Sequence, residues 1–436
     1  MRRFFDCHFH VMTFKEPNFG AFLSALSPAS IAGGGTKDYI ITAQSILKNE
    51  LKDTVENTIT TFSQPIGDTF LMMEKDLMGA YRKSSNKGSY PNLPYIRDGK
   101  LHFRENVYDK LMLCPLLMDF PQSQVSLDSQ YYPFNATDKI TPYIKDTIKG
   151  IRHYYNSSSD GIFEFYPLVG INPPVHSEDF LENLLQTYVD TSHTLHKERS
   201  VRDEKAFYGI KLYPPLGTDP WPEDKNELHK MRTLYSFCEK YRIPIITHCD
   251  DQGFRGVPLK EAWHYTNPAS WRSVLENYPS LIIDFAHVGK QYAILGRTTS
   301  LIESMQVRMK RLPQSEWFYS LMKLIQDFDN VYTDISFTGS YSDFYTEMLN
   351  YFATISDKER EKIEDRMLFG SDFSVNLLKV ESYANYYNIV ESSPFSDELV
   401  VKLSEINPMR FFSLTEEANT IEDKKKLRLP FTKKSK

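Results

Sequence analysis

The sequence predicts an α/β protein, a (β/α)8 TIM barrel with a long, mainly helical cap inserted after its first strand. Short apolar runs recur along the 436 residues, and most of them are followed by a loop and then by a helical pattern. Near-continuous apolar strands that alternate with helices are typical of a parallel sheet covered by helices. A count of eight favours a closed barrel over an open sheet. The eight runs are 4–12, 111–120, 163–172, 208–216, 243–250, 281–289, 331–339 and 367–374.

Helical patterns lie between these strands. Apolar residues recur at helical spacing over 179–198, after the third strand, and over 225–242, after the fourth. A shorter helix is predicted over 268–278, before the sixth strand. Because no internal repeat or long low-complexity linker interrupts the chain, residues 1–416 are predicted to form one barrel domain. The remaining residues, 417–436, are rich in lysine and are predicted to form a solvated, flexible tail.

The connection between the first two strands, residues 12–110, is much longer than the 2–6 residues usual for such a loop. It contains helical patterns over 37–62 and 68–82, and the segment PYIRDGKLHF predicts a hairpin that turns at Asp98-Gly99. An insertion after the C-terminal end of a barrel strand lies over the active-site face. We therefore predict a cap that narrows substrate access. Its apolar surface could instead form contacts between copies of the chain in a homo-oligomer.

The composition excludes several classes of function. The net charge of −6 gives no indication of general affinity for nucleic acid. No apolar run reaches the ~18–20 residues that span a bilayer, and no apolar stretch of a signal peptide follows the charged first residues. The four cysteines include no CxxC pair, so neither a disulfide framework nor a zinc finger is indicated. The sequence predicts a soluble, cytoplasmic protein that acts on a small molecule rather than on nucleic acid or a membrane.

The first strand, FFDCHFHVM, carries two histidines, His8 and His10. Side chains two residues apart in a strand point to the same face, about 6–7 Å apart along the strand. Two imidazoles at this spacing can bind one metal ion. Taken alone, the pair fits two hydrogen-bonded core histidines equally well, because a lone HxH is weakly diagnostic.

Further ligand-type residues lie at the predicted C-terminal ends of other strands, which meet at one mouth of a barrel. Histidines and a carboxylate gathered there form a nitrogen-and-oxygen site that suits zinc or a similar divalent ion. Structural histidines would not be expected to fall at strand ends so consistently. The residues are His8 and His10 on strand one, Lys211 on strand four, His248 on strand five, His287 on strand six and Asp372 on strand eight.

The order and spacing of these segments resemble those of the amidohydrolase superfamily, in its amidohydrolase-related branch of (β/α)8 metal-dependent hydrolases and decarboxylases. The matching segments are DCHFHV, GIKLYPPLG, THCD, DFAHVGK, LFGSDF and INPMRFFSL. The last segment is similar to the NPxRxF sequence that often closes members of this branch. The predicted cap matches no segment of the family.

The resemblance implies a metal centre at His8, His10, His248 and Asp372, with Asp372 also accepting a proton from metal-bound water. It implies that His287 binds a second ion, or acts as an acid or base and polarises the substrate. The metal would be a divalent ion, zinc ahead of manganese or iron.

Lys211 has two interpretations. In binuclear members of the family the strand-four lysine is carbamylated and bridges two metals, since an unmodified ammonium has no lone pair to offer. An unmodified Lys211 would instead be an active-site cation or a structural partner. The unmodified form, and with it a mononuclear site, is favoured, and both one and two ions stay open.

These residue types predict a metal-dependent hydrolase. A divalent ion lowers the pKa of bound water toward ~7, so that metal-bound hydroxide would attack the carbonyl group of an amide, ester, lactone or related C–C bond. Asp372 would pass the proton to the leaving group, and His287 or a metal would stabilise the oxyanion. Two alternatives stay open. One is a nonoxidative decarboxylase of an aromatic or unsaturated acid, and the other is a catalytically silent metal-binding scaffold.

Four further residues flank the predicted centre. Tyr213, Asp250 and Arg255 are candidates for substrate binding, although core packing fits Tyr213 and a solvated loop charge fits the other two equally well. Asp334, on the seventh strand, is predicted to support a ligand histidine by a hydrogen bond. An ordinary ion pair inside the barrel is the competing interpretation of Asp334.

Overall fold

A computed structural model of the chain describes residues 1–13, 52–81, 93–120, 140–195, 199–251, 256–290 and 316–414. Within these ranges the strands form one large parallel sheet and one small antiparallel sheet. Numbered in chain order, they are β1 (Arg3–His10), β2 (Ile96–Arg97), β3 (Lys100–Phe103), β4 (Asn106–Tyr108), β5 (Lys110–Leu116), β6 (Phe163–Phe165), β7 (Leu168–Gly170), β8 (Gly209–Leu212), β9 (Ile245–Thr247), β10 (Ile283–Phe285), β11 (Val331–Asp334) and β12 (Met367–Leu368).

The large sheet is the barrel that the sequence predicts. Its strands follow one another in the order β1, β5, β7, β8, β9, β10, β11 and β12, and β6 pairs with β5 just before β7. The last strand is joined to the first, because the Cys7 amide donates to the Phe369 carbonyl at 2.9 Å and the Asp372 amide donates to the His8 carbonyl at 2.7 Å. The predicted (β/α)8 barrel is confirmed.

Helices cover the outside of this barrel. They are α1 (Lys52–Ser63), α2 (Ile66–Leu77), α3 (Ile140–Ser157), α4 (Glu178–Tyr188), α5 (Lys225–Tyr241), α6 (Leu259–Thr266), α7 (Arg272–Asn277), α8 (Glu316–Asp327), α9 (Ser342–Phe352), α10 (Asp357–Glu364), α11 (Tyr383–Glu391), α12 (Asp397–Val401) and α13 (Asn407–Phe411). The helix predicted over 179–198 is shorter than expected. It ends at Tyr188 because Val189 leaves the helix and forms a bridge with Phe207.

Helix α5 illustrates how local sequence specifies the outer layer. The Asp224 side chain accepts hydrogen bonds from two backbone amides of the first turn and so caps the helix. The helix ends where Arg242 takes a left-handed conformation, with φ of 53°. Its buried residues recur every three or four positions and belong to the main apolar cluster. They are Met231, Leu234, Tyr235 and Cys238.

The alternation of inward-pointing and outward-pointing side chains in strand β1 is shifted by one residue part-way along the strand. Its pairing with β5 is irregular between Asp6 and Phe9. Before the irregularity, Phe5 and Cys7 lie in the apolar cluster inside the barrel, and Phe4 lies in the outer cluster. After it, Phe9 lies in the outer cluster. The irregularity therefore turns the end of the strand so that its two histidines point into the barrel mouth.

The described parts of the predicted cap, residues 12–110, include two helices. Helix α2 belongs to the outer layer of the barrel, because it packs against α3, where the Tyr154 hydroxyl donates to Glu74 at 2.7 Å. Helix α1 packs against the turn that follows β12. Residues 14–51 and 82–92 of this segment lie outside the described residues, and a cap formed by them stays a prediction.

The small sheet, β2–β3–β4, contains the predicted hairpin. Its turn lies at Asp98 and Gly99, whose φ angles are 50° and 69°, as a two-residue turn between antiparallel strands requires. The sheet packs through Phe103 against Phe4, with ring centroids 5.2 Å apart. Because Phe4 lies at the N-terminal end of β1 and in the outer cluster, the hairpin packs on the outside of the barrel near the end that is opposite the histidines.

The cysteines and the helices bear on the predictions that the chain has no disulfide framework and no membrane span. All four cysteines are buried and unpaired, which agrees with the prediction of no disulfide framework. Among the residues that the structure describes, no helix has the length and apolar character needed to cross a bilayer. The predicted basic tail, residues 417–436, lies outside the described residues.

Candidate metal centre

The C-terminal ends of β1 and β12 bring three residues with ligand atoms together. His8 Nε2 lies 3.6 Å, and His10 Nε2 3.5 Å, from Oδ1 of Asp372. All three side chains are buried, and their ligand atoms lie within 4.8 Å of one another. A tetrahedral zinc ion with bonds of ~2.0–2.1 Å to nitrogen holds its ligand atoms about 3.3–3.4 Å apart. The spacing of these three atoms therefore fits one divalent ion.

The hydrogen bonds of the two histidine rings leave their Nε2 atoms without hydrogen. His8 Nδ1 lies 2.6 Å from Oδ2 of Asp334, and His10 Nδ1 lies 3.2 Å from the carbonyl oxygen of Leu116. A carboxylate and a carbonyl only accept, so Nδ1 of each neutral ring carries the hydrogen and Nε2 carries a lone pair. Asp372 Oδ1 is buried without a hydrogen-bond partner. Two nitrogen lone pairs and a carboxyl oxygen thus face one another, and one cation bound to the ionised Asp372 would satisfy all three atoms.

Burial keeps both histidines in the neutral form that a metal ligand requires. It lowers the pKa of His8 to about 3, and the positive charge of Lys211 acts in the same direction. Burial likewise lowers the pKa of His10 well below its ordinary value. For Asp334, burial acts to raise the pKa, but electrostatic attraction to the His8 ring and the hydrogen bond from it hold that pKa well below its ordinary value. Asp334 is therefore ionised and accepts the His8 hydrogen at neutral pH.

Residues at the ends of β9 and β10 form a second group. His248 Nε2 lies 3.1 Å from Oδ1 of Asp250, and His248 Nδ1 lies 3.2 Å from His287 Nε2. The other nitrogen of His287, Nδ1, lies 3.0 Å from the carbonyl oxygen of Ser336. The three ligand-type side chains are buried, and their ligand atoms lie within 4.8 Å of one another. Asp250, predicted to bind substrate, thus lies among potential metal ligands.

Lys211, on β8, lies beside the first group, with Nζ 3.5 Å from His8 Nε2. Burial lowers the pKa of Lys211 to about 8, while nearby carboxylates, Asp334 foremost, oppose this shift. The amine is consequently mostly protonated at pH 7. The Tyr213 ring stacks on the His248 ring with centroids 4.3 Å apart. Tyr213 therefore orients a ligand-type histidine, besides any contact that it makes with substrate.

Strand β11 supplies the carboxylate that connects the two groups. Asp334 Oδ1 accepts hydrogen bonds from the backbone amides of Ser336, at 2.9 Å, and His287, at 3.1 Å, while Oδ2 contacts His8. The predicted contact of Asp334 with a strand-one histidine is present, and the role of that histidine as a metal ligand stays a prediction. The two oxygens of Asp334 fix both the His8 ring and the backbone that carries His287.

Backbone strain accompanies these side chains. His287 and Val288 have φ angles of 62° and 57°, and Asp372 has a φ of 58°. A left-handed conformation is uncommon in residues other than glycine and costs on the order of 1–3 kcal/mol each. Such conformations concentrate at functional sites, where the surrounding structure holds them in place.

The structure divides the predicted ligands among the described residues into two groups, and it adds two residues that the sequence does not single out. Ser336 contacts His287, and its position two residues after Asp334 in a strand-end DxS sequence is the pattern that could have indicated it. Asp284 is buried within the apolar strand β10, where burial raises its pKa well above the ordinary value and the neighbouring carboxylate of Asp334 acts in the same direction. Arg255, predicted to bind substrate, lies outside the described residues.

The barrel and its strand-end residues agree with a comparison of protein families. Residues 176–414, more than half of the chain, match the family model described as "Amidohydrolase". The chain belongs to the amidohydrolase family. It is therefore an enzyme of a metal-dependent class that includes hydrolases and decarboxylases. The match includes the predicted site residues from β8 to the end of β12, whereas the HxH pair of this amidohydrolase precedes it. A search of curated proteins finds no significant match.

Solved structures similar to this amidohydrolase include decarboxylases and a hydrolase. 2,6-Dihydroxybenzoate decarboxylase with bound 2,6-dihydroxybenzoate is 12% identical, with a TM-score of 0.45 over 95% of this chain and 100% of that one. 5-Carboxyvanillate decarboxylase from Novosphingobium aromaticivorans, with bound manganese, is 12% identical, with a TM-score of 0.46 over 95% and 96% of the two chains. A probable 2-pyrone-4,6-dicarboxylic acid hydrolase from Acinetobacter baumannii is 10% identical, with a TM-score of 0.40 over 70% and 84%. Similarities at these scores do not decide the reaction.

Proposed function

We propose that the chain is a zinc-dependent hydrolase that cleaves a small molecule at a carbonyl carbon, at the mouth of its barrel. The observation that carries this proposal is the proximity of three ligand atoms on His8, His10 and Asp372, with Oδ1 of Asp372 3.5–3.6 Å from the two Nε2 atoms. Two imidazoles and a carboxylate suit zinc, ahead of manganese or iron. When bound there, the ion would act as a Lewis acid and lower the pKa of a water molecule toward ~7.

The chain's own groups would carry the proton transfers. Asp372 lies where its carboxylate can accept a proton from the attacking water and deliver it to the leaving group. His287 is a second proton acceptor, because the Ser336 carbonyl holds the ring hydrogen on Nδ1 and leaves a lone pair on Nε2. This arrangement favours a role for His287 as a base. It does not favour the role expected from the sequence, in which His287 stabilises the oxyanion.

Lys211 is the group best placed to stabilise negative charge on the substrate. It is buried at the mouth beside His8 and mostly protonated at pH 7, so it can donate hydrogen bonds to the oxygen of the attacked carbonyl. A buried donor of this kind acts in a low-dielectric surrounding, where it interacts with developing charge more strongly than it would in water.

The first test of the proposed function is the metal content of the purified protein, measured by elemental mass spectrometry. We expect bound zinc in the wild type and loss of about one equivalent in the double variant His8→Ala/His10→Ala. His229→Ala is the matched control, because His229 is exposed and pairs with Glu178 on the outside of the barrel. The double variant would contradict the assignment if it folds and keeps all of its metal.

The second test is turnover of a panel of lactones, esters, amides and aromatic carboxylic acids by the zinc-loaded enzyme. Hydrolysis is followed by proton release and decarboxylation by carbon dioxide release. We expect hydrolysis that is lost in the His8→Ala/His10→Ala variant. Carbon dioxide release without hydrolysis would overturn the proposal in favour of a decarboxylase. Metal binding without any turnover would overturn it in favour of a metal-binding scaffold.

A further inference from the structure

We propose that His176, held in place by Asp119, is a specificity-determining residue that accepts a hydrogen bond from a hydroxyl or N–H group of the substrate. This inference deepens the proposed function, because it concerns the part of the substrate that lies away from the reacting carbonyl. It rests on the substrate binding at the barrel mouth. Neither residue is among the site residues that the sequence predicts.

The two residues lie on the part of the mouth that adjoins the first site. Asp119 follows β5 and His176 follows β7, and these two strands come directly after β1 in the order of the barrel. The carbonyl oxygen of Leu116, where β5 ends, lies 3.2 Å from His10 Nδ1. A substrate whose carbonyl group lies at the first site would therefore extend toward the segments that carry Asp119 and His176.

The carboxylate of Asp119 is fixed to the segment that follows β7. The backbone amide of Asn172 donates to Asp119 Oδ2 at 2.8 Å. Asn172 is held in turn by the Thr218 hydroxyl, which donates to its side-chain oxygen at 3.0 Å. The preceding residue, Ile171, donates its amide hydrogen at 3.0 Å to the carbonyl of Lys211. The carboxylate is therefore positioned by backbone that adjoins Lys211 at the mouth.

The contact between the two side chains determines which nitrogen of His176 can accept a hydrogen bond. His176 Nε2 lies 2.6 Å from Asp119 Oδ2, and the two side chains are only 6% and 4% exposed. Because a carboxylate only accepts, Nε2 of the neutral ring carries the hydrogen and Nδ1 carries a lone pair. Among the described residues, no hydrogen bond engages this Nδ1 atom. The Phe180 ring stacks on the imidazole with centroids 4.4 Å apart, so the direction of the acceptor is fixed before substrate binds.

Two roles for this pair make different demands on the ring. A pair that only ties the segment after β5 to the segment after β7 needs the Nε2 hydrogen alone, and glutamine in place of His176 can supply such an N–H group. A pair that recognises substrate also needs the Nδ1 lone pair, which glutamine lacks. A buried acceptor of this kind rejects an analogue without the donor, because the acceptor is then left unpaired.

The experiment compares kcat/KM of the zinc-loaded enzyme for matched pairs of compounds. Each pair is an ester or lactone that bears a hydroxyl or aniline group, and its methyl ether or N,N-dimethyl derivative. We expect the wild type to prefer the donor-bearing member of at least one pair by about 5–150-fold, mainly through KM. His176→Gln should abolish this preference and keep the wild-type zinc content. His229→Gln is the matched control and should keep the preference, because His229 Nε2 makes a similar contact of 2.8 Å with Glu178 on the outside of the barrel.

A folded His176→Gln variant that keeps the full preference would overturn the inference, and so would a wild type that distinguishes the members of no pair. Asp119→Asn is the second variant, for the case in which His176→Gln does not fold. Its amide oxygen can still accept both hydrogens, but the loss of negative charge makes Nδ1 a weaker acceptor, so the preference should fall. An unchanged preference in a folded Asp119→Asn variant would also overturn the inference.

Failure of the proposed function is distinguishable from these results, because it would appear as absent turnover of every compound. The preference is then measured by calorimetry as a ratio of dissociation constants for the same pairs. A ratio that depends on His176 would support the inference without hydrolysis. A protein that binds none of the compounds would overturn it.

Discussion

Replacing Asp334 by asparagine should weaken metal binding at the first site without unfolding the barrel. Asp334 Oδ1 accepts from two backbone amides, and the amide oxygen of asparagine can preserve both of these bonds. The contact that cannot be preserved is the 2.6 Å hydrogen bond from His8 Nδ1 to Oδ2. An asparagine NH2 group there would donate to Nδ1 and force the ring hydrogen onto Nε2, which is the ligand atom.

The expected magnitude follows from this change of tautomer. Loss of a carboxylate that orients a ligand histidine typically lowers metal affinity by about 10–100-fold, which corresponds to about 1.4–2.7 kcal/mol. Replacing a buried hydrogen bond to a charged group by a neutral one should also lower the free energy of unfolding by about 1 kcal/mol.

The assay is a competition titration of zinc between the protein and a chromophoric chelator, with urea unfolding of the metal-free protein alongside. Asp329→Asn is the matched control, because Asp329 is exposed and pairs with Lys362 far from the mouth. It should alter neither the metal affinity nor, by more than about 0.5 kcal/mol, the stability. A folded Asp334→Asn variant that binds zinc as tightly as the wild type would refute the tautomer assignment for His8.

Three further predictions concern stability. Gly370→Ala places a Cβ atom 2.7 Å from Cβ of His8, so we expect a loss of about 1–3 kcal/mol in urea unfolding together with weaker zinc binding. Unchanged values of both would contradict this close approach. Arg104→Ala removes the guanidinium that donates to several backbone carbonyls around the end of α11. This substitution should lower the free energy of unfolding by about 2–4 kcal/mol, whereas the exposed control Arg152→Ala should lower it much less. Equal losses in the two variants would show that the Arg104 contacts add no particular stability. Burial raises the pKa of Asp6 to about 7, above its unfolded value of ~3.9. Its contribution to stability is therefore fully present below pH ~4 and is lost as pH rises through about 7, by up to about 4 kcal/mol. Asp6→Asn should flatten this part of the pH dependence of urea unfolding in chelator, and an unchanged slope would contradict the shift.

The barrel could be predicted because its determinants are local. Each strand is a short apolar run, and each helix has an apolar face of regular spacing, so the alternation is visible in the chain without knowledge of contacts. The site could be predicted in outline for the same reason. Histidines and an aspartate at strand ends must meet at one mouth once the sheet closes.

The predicted cap shows where local patterns are insufficient. The helical pattern over 68–82 was correct as a helix, α2, but a sequence period does not say which surface a helix covers. Its buried residues pack against α3 in the outer layer, where Glu74 accepts a hydrogen bond from the Tyr154 hydroxyl. The hairpin was likewise correct in its turn, and its position on the outside of the barrel, near the end opposite the histidines, depends on packing between Phe103 and Phe4.

The residue pattern alone was enough to establish the barrel, the residues at its mouth and the resemblance to amidohydrolases, because all three depend on the spacing of residue types along the chain. The division of the candidate ligands into two groups depended on the folded structure. Asp250 joins His248 and His287, and Asp372 joins the HxH pair, through contacts between side chains that the sequence does not order. The positions of the ring hydrogens, and hence which atoms can bind a metal, are set by hydrogen-bond acceptors on other strands. Such contacts exist only when the strands have closed into a barrel.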